Sequence, residues 1–289
     1  MVVVAAGTAC GADGGSDASG QCPGAKVAVV VTVDQWSDIV GDLVGDCGTV
    51  TTIVKGSTSD PDDYVPTPAD TAKFSGAALV VVNGLGYDSW ADDAIAALAT
   101  KPLVLNGGDV LGLNDGDNPH IWYGPDYVDK VADEVTAALK QLAGTSAGYF
   151  DQQHQAWEVA MKPYDAEIAA LAPKLAGKNY AATEPVFDYM AAKLGLKNLT
   201  PPAYHFAVSE ESEPATADVA KFHNELTSGH LNLLVHNSQT DSSTAHKISE
   251  VATKAKVPVL EVTETPPSSS KGFVDWQLGQ LRQLGKALG

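Results

Sequence analysis

Val27-Ala28-Val29-Val30-Val31-Thr32-Val33, followed at once by Asp34-Gln35-Trp36-Ser37-Asp38-Ile39-Val40, decides how this chain folds. The first seven residues form a continuous β-branched run, as a strand buried on both faces of a sheet requires. An acidic residue then opens a helical pattern that stops at Gly45, and glycine ends helices at little conformational cost. The same pattern returns in the second half. Tyr180-Ala181-Ala182-Thr183 leads into Glu184-Pro185-Val186-Phe187-Asp188-Tyr189-Met190 and stops at Gly195. Asp34 corresponds to Glu184, Asp38 to Asp188 and Gly45 to Gly195, all at one offset. Further along, Leu79-Val80-Val81-Val82-Asn83 parallels Leu233-Leu234-Val235-His236-Asn237, and Pro102-Leu103-Val104-Leu105 parallels Pro258-Val259-Leu260-Glu261.

A duplicated alternation of short buried strands and amphipathic helices predicts the α/β class. It specifies two Rossmann-like lobes, each with a four-stranded parallel sheet. Strands are expected near 26–33, 49–54, 78–83 and 102–106, then near 179–183, 203–207, 232–236 and 258–262. Between the lobes, Phe150, Gln153, Trp157, Met161, Tyr164, Ile168 and Leu171 recur every three or four residues and draw one stripe along a long backbone helix from Ala147 to about Leu175. Pro163 inside that stretch is expected to kink or divide it. The resulting divisions are 1–24, a signal remnant and tether; 25–145, the N-terminal lobe; 146–176, the connecting helix; and 177–289, the C-terminal lobe.

With 289 residues and a net charge of −18, the chain has the mass for two lobes and the wrong sign for nucleic acid. Val2 to Gly11 reads as the stub of a signal peptide ending in a lipidation cysteine, Cys10, with the charged leading segment trimmed away. Residues 11–24 read as a flexible tether. No stretch has the length and apolarity of a membrane span, so contact with a membrane is expected only through a lipid on Cys10. In an oxidising compartment Cys22 and Cys47 form a disulfide; otherwise they remain two buried thiols.

In open α/β sheets ligands bind beyond the carboxyl ends of the strands. The polar residues expected there are Asp62 and Asp63 after the second strand, His120 after the fourth, Glu184 after the fifth and Glu264 after the eighth. One imidazole and three carboxylates facing a common cleft make a reasonable ligand set for a divalent cation. Each also has a plain structural role open to it, as a helix-dipole partner, a turn residue or a solvated acid. Of the other histidines, His205 and His236 fall near strand ends. His154 falls on the long helix, and His223, His230 and His246 on the surface of the second lobe.

The loop Asp60-Pro61-Asp62-Asp63-Tyr64-Val65-Pro66-Thr67-Pro68-Ala69-Asp70 resembles the first metal-binding loop of the zinc- and manganese-carrying solute-binding proteins of bacterial ABC transporters, cluster A-I. In that family the form is Asp-Pro-His-x-Tyr-Glu-Pro-Thr-Pro-x-Asp. Asp62 stands where the family has its histidine ligand, with Asp63 as the alternative. Asn118-Pro119-His120-Ile121-Trp122-Tyr123 and Ala182-Thr183-Glu184-Pro185-Val186-Phe187 are similar to the second and third ligand motifs. Val262-Thr263-Glu264-Thr265 falls at the fourth, and the resemblance extends from about Lys26 to the end. It implies a ligand set of Asp62, His120, Glu184 and Glu264, supported by Tyr64, Trp122, Asn83 and Asn237.

The resemblance further implies a monomeric, extracytoplasmic lipoprotein that captures a divalent metal, Mn²⁺ or Zn²⁺, and passes it to an ABC permease driven by its ATPase. A carboxylate in place of the first imidazole makes the site harder and tilts it toward Mn²⁺. Nucleophile elbows, phosphate-binding loops and dinucleotide fingerprints are absent, so an enzyme is not expected. Two rivals remain: a surface adhesin on the same fold, and a metal-dependent hydrolase.

Overall fold

The computed structural model describes residues 21–56 and 64–288. The first lobe runs β1 (Val27–Val33), α1 (Ser37–Val44), β2 (Gly48–Val54), α2 (Pro68–Lys73), β3 (Leu79–Val82), α3 (Trp90–Ala96), β4 (Leu103–Asn106), α4 (Gly107–Leu111) and α5 (Pro125–Leu142). The long helix α6 spans Ala147–Leu175. The second lobe runs β5 (Asn179–Ala182), α7 (Asp188–Lys193), β6 (Lys197–Asn198), α8 (Pro202–Ser209), α9 (Thr216–Thr227), β7 (Leu233–Asn237), α10 (Ser243–Lys254), β8 (Val259–Val262) and α11 (Phe273–Leu288).

Both sheets are four-stranded and parallel, and the duplication read from the sequence reappears in their topology. The orders β2-β1-β3-β4 and β6-β5-β7-β8 are the same order twice. The continuous apolar runs earn their central places: β1 is buried along almost its whole length between β2 and β3, and β7 is buried throughout between β5 and β8.

One expected strand is a helix. The aromatic run at 203–207 lies in α8, and the strand of that repeat is the exposed pair Lys197–Asn198. Pro202 sits in the first turn of α8, where its missing N–H costs nothing and its fixed φ favours helix, and this local start overrides the β-propensity of Tyr204 and Phe206.

Helix α6 runs unbroken with Pro163 and Pro173 inside it, so the expected division at Pro163 does not occur. Trp157, Met161, Tyr164 and Ile168 are buried around that proline, and burial of roughly 2 kcal/mol per large apolar side chain offsets one lost backbone hydrogen bond. The helix packs on α1 and α5 of the first lobe and on α11 of the second. One apolar cluster therefore continues from Val31 and Leu43 through Trp157 and Met161 to Trp276 and Leu284. Cys22 is disulfide-bonded to Cys47, fastening the start of the described chain beside β2. Among the described residues no helix is long and apolar enough to cross a membrane. Cys10 lies outside them.

Candidate metal site

The carboxyl ends of both sheets face a cleft of about 1230 Å³ lined by residues of both lobes. Its described lining includes the carboxylates of Asp117, Glu184, Asp188, Glu211, Glu213, Asp241 and Glu264, with no Lys or Arg among them. Such a wall raises the local concentration of cations.

His120 is presented by the turn after Asn118-Pro119 and is buried. Its Nδ1 lies 2.6 Å from Asn118 Oδ1. The orientation of that amide is set by two other bonds: Asn118 Nδ2 donates to Pro185 O at 2.8 Å, and His120 N donates to Asn118 Oδ1 at 3.0 Å. An acceptor facing Nδ1 places the proton there, so the neutral ring offers the bare Nε2. That nitrogen lies 3.6 Å from Glu264 Oε1, across the lobe boundary.

Glu264 follows β8. Tyr87 OH donates to its Oε1 at 2.7 Å, and Gln35 Nε2 donates to Tyr87 OH at 2.9 Å. Burial pushes the Glu264 carboxyl up, but when the His120 ring is protonated its hydrogen bond and charge, with the bonds from Tyr87 and Asn237, outweigh it and hold the group below its usual range. Glu184 follows β5, where burial pushes its carboxyl up against the pull of hydrogen bonds from Thr240 and Asn237. The two carboxylates meet at one amide: Asn237 Nδ2 donates to Glu184 Oε2 at 2.7 Å and to Glu264 Oε2 at 3.3 Å.

The structure thus brings His120, Glu184 and Glu264 to one cleft. Asp62 and Asp63 lie outside the described residues. The described end of their loop is held by Asp70, which accepts from Tyr64 OH at 2.7 Å and forms a capping box with Thr67 at the start of α2. Among the described residues, no three His, Cys, Asp or Glu side chains are gathered as a metal would hold them.

The supporting residues divide. Trp122 packs its ring 5.2 Å from His120, and Asn83 Nδ2 donates to Pro119 O at 3.0 Å, steadying the His120 turn. Tyr64 edges onto Trp90, with ring centroids 4.9 Å apart. Of the other histidines, His205 lines the cleft from α8 and contacts Asp188 at 2.8 Å. His236 is buried at the end of β7, 3.3 Å from Thr183 Oγ1. His154 lies against Thr136 and Asp133, and His230 is exposed.

Sequence reasoning missed Gln35 as a residue that holds a ligand, and reached Tyr87, Gln239 and Thr240 only as members of the segments 83–88 and 237–240, which resemble family signatures near the cleft, without their partners. Gln239 binds the Glu264 loop through Thr265, whose N–H donates to Gln239 Oε1 at 2.8 Å. Tyr87, Gln239 and Thr240 all sit in loops that the duplication marks as equivalent, which was the available signal.

Residues 29–287 match the family described as ZnuA, zinc-uptake complex component A, periplasmic. The chain belongs to this family. A relative within it, the high-affinity zinc uptake system protein ZnuA of Bacillus subtilis, is 24% identical over 293 residues, covering 94% of this chain and 88% of that protein. Solved structures agree in fold. A Mn-bound point mutant of a periplasmic metal-binding protein from Candidatus Liberibacter asiaticus superposes with a TM-score of 0.77 at 18% identity, over 91% of this chain and all of that one. The laminin-binding protein Lmb of Streptococcus agalactiae, described as a bifunctional protein with adhesin and metal-transporting activity, gives 0.76 at 20% identity, also over 91% of this chain and all of that one. The family's two-lobed frame is therefore the one in which these cleft residues sit.

Proposed function

We propose that the protein is the solute-binding component of an ABC importer that captures a divalent transition metal, Mn²⁺ or Zn²⁺, in the interlobe cleft. The observation that carries this reading is the pairing of His120 Nε2 from the first lobe with Glu264 Oε1 from the second, 3.6 Å apart, beside the half-buried Glu184. Family membership and an acidic cleft wall without cationic side chains support it. The proposed ligands are His120, Glu184 and Glu264, completed by Asp62 or Asp63. Imidazole and carboxylate donors suit both ions, and the preponderance of oxygen favours Mn²⁺.

The ion would pass to a membrane permease and its ATPase without chemical turnover. The lobes are tied on several sides. Phe273 N donates to Asp38 Oδ2 at 2.6 Å, Tyr123 OH donates to Thr263 O at 2.8 Å, and Tyr189 OH donates to Asn118 O at 2.8 Å. With α6 packed on both lobes, capture and release would proceed by small shifts of loops, not by a wide hinge. A lipid on Cys10 would hold the monomer at the outer face of the cytoplasmic membrane.

The test is a melting curve with and without each ion. The metal-free protein should gain melting temperature in Mn²⁺ or Zn²⁺, and His120→Ala and Glu264→Ala should each abolish the gain. An undiminished gain in both variants would remove the site from consideration.

A further inference from the structure

Asn237 sits at the end of β7 with its amide nitrogen within hydrogen-bond distance of two acidic side chains, 2.7 Å from Glu184 Oε2 and 3.3 Å from Glu264 Oε2. The direction of this amide is fixed independently. Gln239 N donates to Asn237 Oδ1 at 3.1 Å, so the oxygen faces its own loop and the NH₂ faces the carboxylates. Asn237 is 3% exposed, and both acids it touches are half-buried in the same cleft. Two carboxylates held this way repel, and low local polarity strengthens the repulsion. A neutral amide satisfies their lone pairs without neutralising their charge. A divalent cation would do both.

We propose that Asn237 is the stand-in for the cation: in the empty cleft its amide bridges Glu184 and Glu264, and an arriving ion displaces it. This inference rests on the metal-capture reading of the cleft. It also accounts for the absence, among the described residues, of three donors gathered as a metal would hold them: an NH₂ group bridges the two carboxylates instead.

The displaced amide would not act alone. Gln239, two residues on, is bonded to the Glu264 loop, with Nε2 3.0 Å from Thr265 Oγ1. Movement of Asn237 is therefore passed to the backbone beside Glu264. In delivery the sequence reverses: as the ion leaves, the amide closes on the two carboxylates and their lone pairs are never left bare. A residue that competes with the cargo makes capture weaker and release easier, as a carrier that must give up its ion requires.

This role is opposite in sign to that of a residue that merely positions ligands, and the sign is measurable. Asn237→Ala and Asn237→Ser should be compared with the unsubstituted protein in melting temperature, with and without MnCl₂ or ZnCl₂, and in metal affinity by competition with a chelator. Both variants should melt lower when metal-free and close to the parent when loaded. They should bind the ion about tenfold more tightly, about 1.4 kcal/mol, because the hydrogen bonds to Glu184 and Glu264 no longer have to be broken. The serine variant retains a small polar group and keeps the test open if the alanine variant fails to fold. Affinity unchanged or weakened in the folded variants overturns the inference, leaving Asn237 as scaffold. No response to either ion in the unsubstituted protein is a different result: it overturns the metal reading itself, and this inference with it.

Discussion

The carboxyl ends of β3 and β7 occupy equivalent places in the two lobes, and each carries an asparagine; they do different work. Asn83 is fully buried and spends its amide on the scaffold, accepting from Trp36 Nε1 at 3.0 Å and donating to Pro119 O. Behind it Asp88 accepts from Thr32 Oγ1 at 2.5 Å, Asn83 N at 2.7 Å and Gly84 N at 2.9 Å. Asn237 instead turns its amide to the acids of the cleft. Duplication supplied two equivalent strand ends. In one, the polar groups build the platform that carries His120; in the other, they face the carboxylates of the cleft. Position in the fold makes a residue available for function, and its hydrogen-bond partners decide whether it is used that way.

The comparison is broken most severely at Asp88. Asp88→Ala leaves the backbone N–H groups of Asn83 and Gly84 buried without an acceptor and Thr32 Oγ1 with only Val81 O, and stability should fall by about 3 kcal/mol in urea unfolding. Asn237→Ala should cost the metal-free protein far less, since its loss faces the cleft. Similar losses at both positions would show that the two loops are not divided between scaffold and site.

The duplicated acids Asp38 and Asp188 sharpen the same contrast at smaller scale. Asp38 reaches across the lobes to the first N–H of α11, and Asp38→Ala should cost about 1 kcal/mol, the worth of a helix cap. Asp188 stays within its lobe, accepting from Tyr180 OH at 2.8 Å and contacting His205 Nε2 at 2.8 Å. The Asp188 hydrogen bond raises the His205 pKa above 6.5, against the opposing effect of burial. The folded state therefore binds this proton more tightly than the unfolded chain. The stabilisation is complete below pH 6.5 and is lost as pH rises through the folded-state value. His205→Gln should thus lower the melting temperature below pH 6.5 and converge on the parent above the folded-state value.

Much of this was legible in the sequence, for a physical reason. A strand buried on both faces must be continuously apolar, and a helix spanning two lobes must carry a long stripe, so β1, β3, β7 and α6 are written plainly. Lys197–Asn198 is not, because a two-residue exposed edge strand needs no apolar pattern. His120, Glu184 and Glu264 were reachable from strand ends and motif resemblance. The web that orients them was legible only in part: Tyr87 and Gln239 lie in loops that the duplication marks, but their partners, and the role of Gln35, are contacts between residues far apart in the chain, which no local pattern encodes.

The central claim is that one cation is held between the lobes, and anomalous diffraction from crystals grown with MnCl₂ tests it most directly. The account predicts a single strong peak bonded to His120 Nε2 and to carboxylate oxygens of Glu184 and Glu264, with the Asn237 amide withdrawn from between them. A cleft without a peak, or a peak bound elsewhere while Asn237 still bridges the two acids, would contradict it.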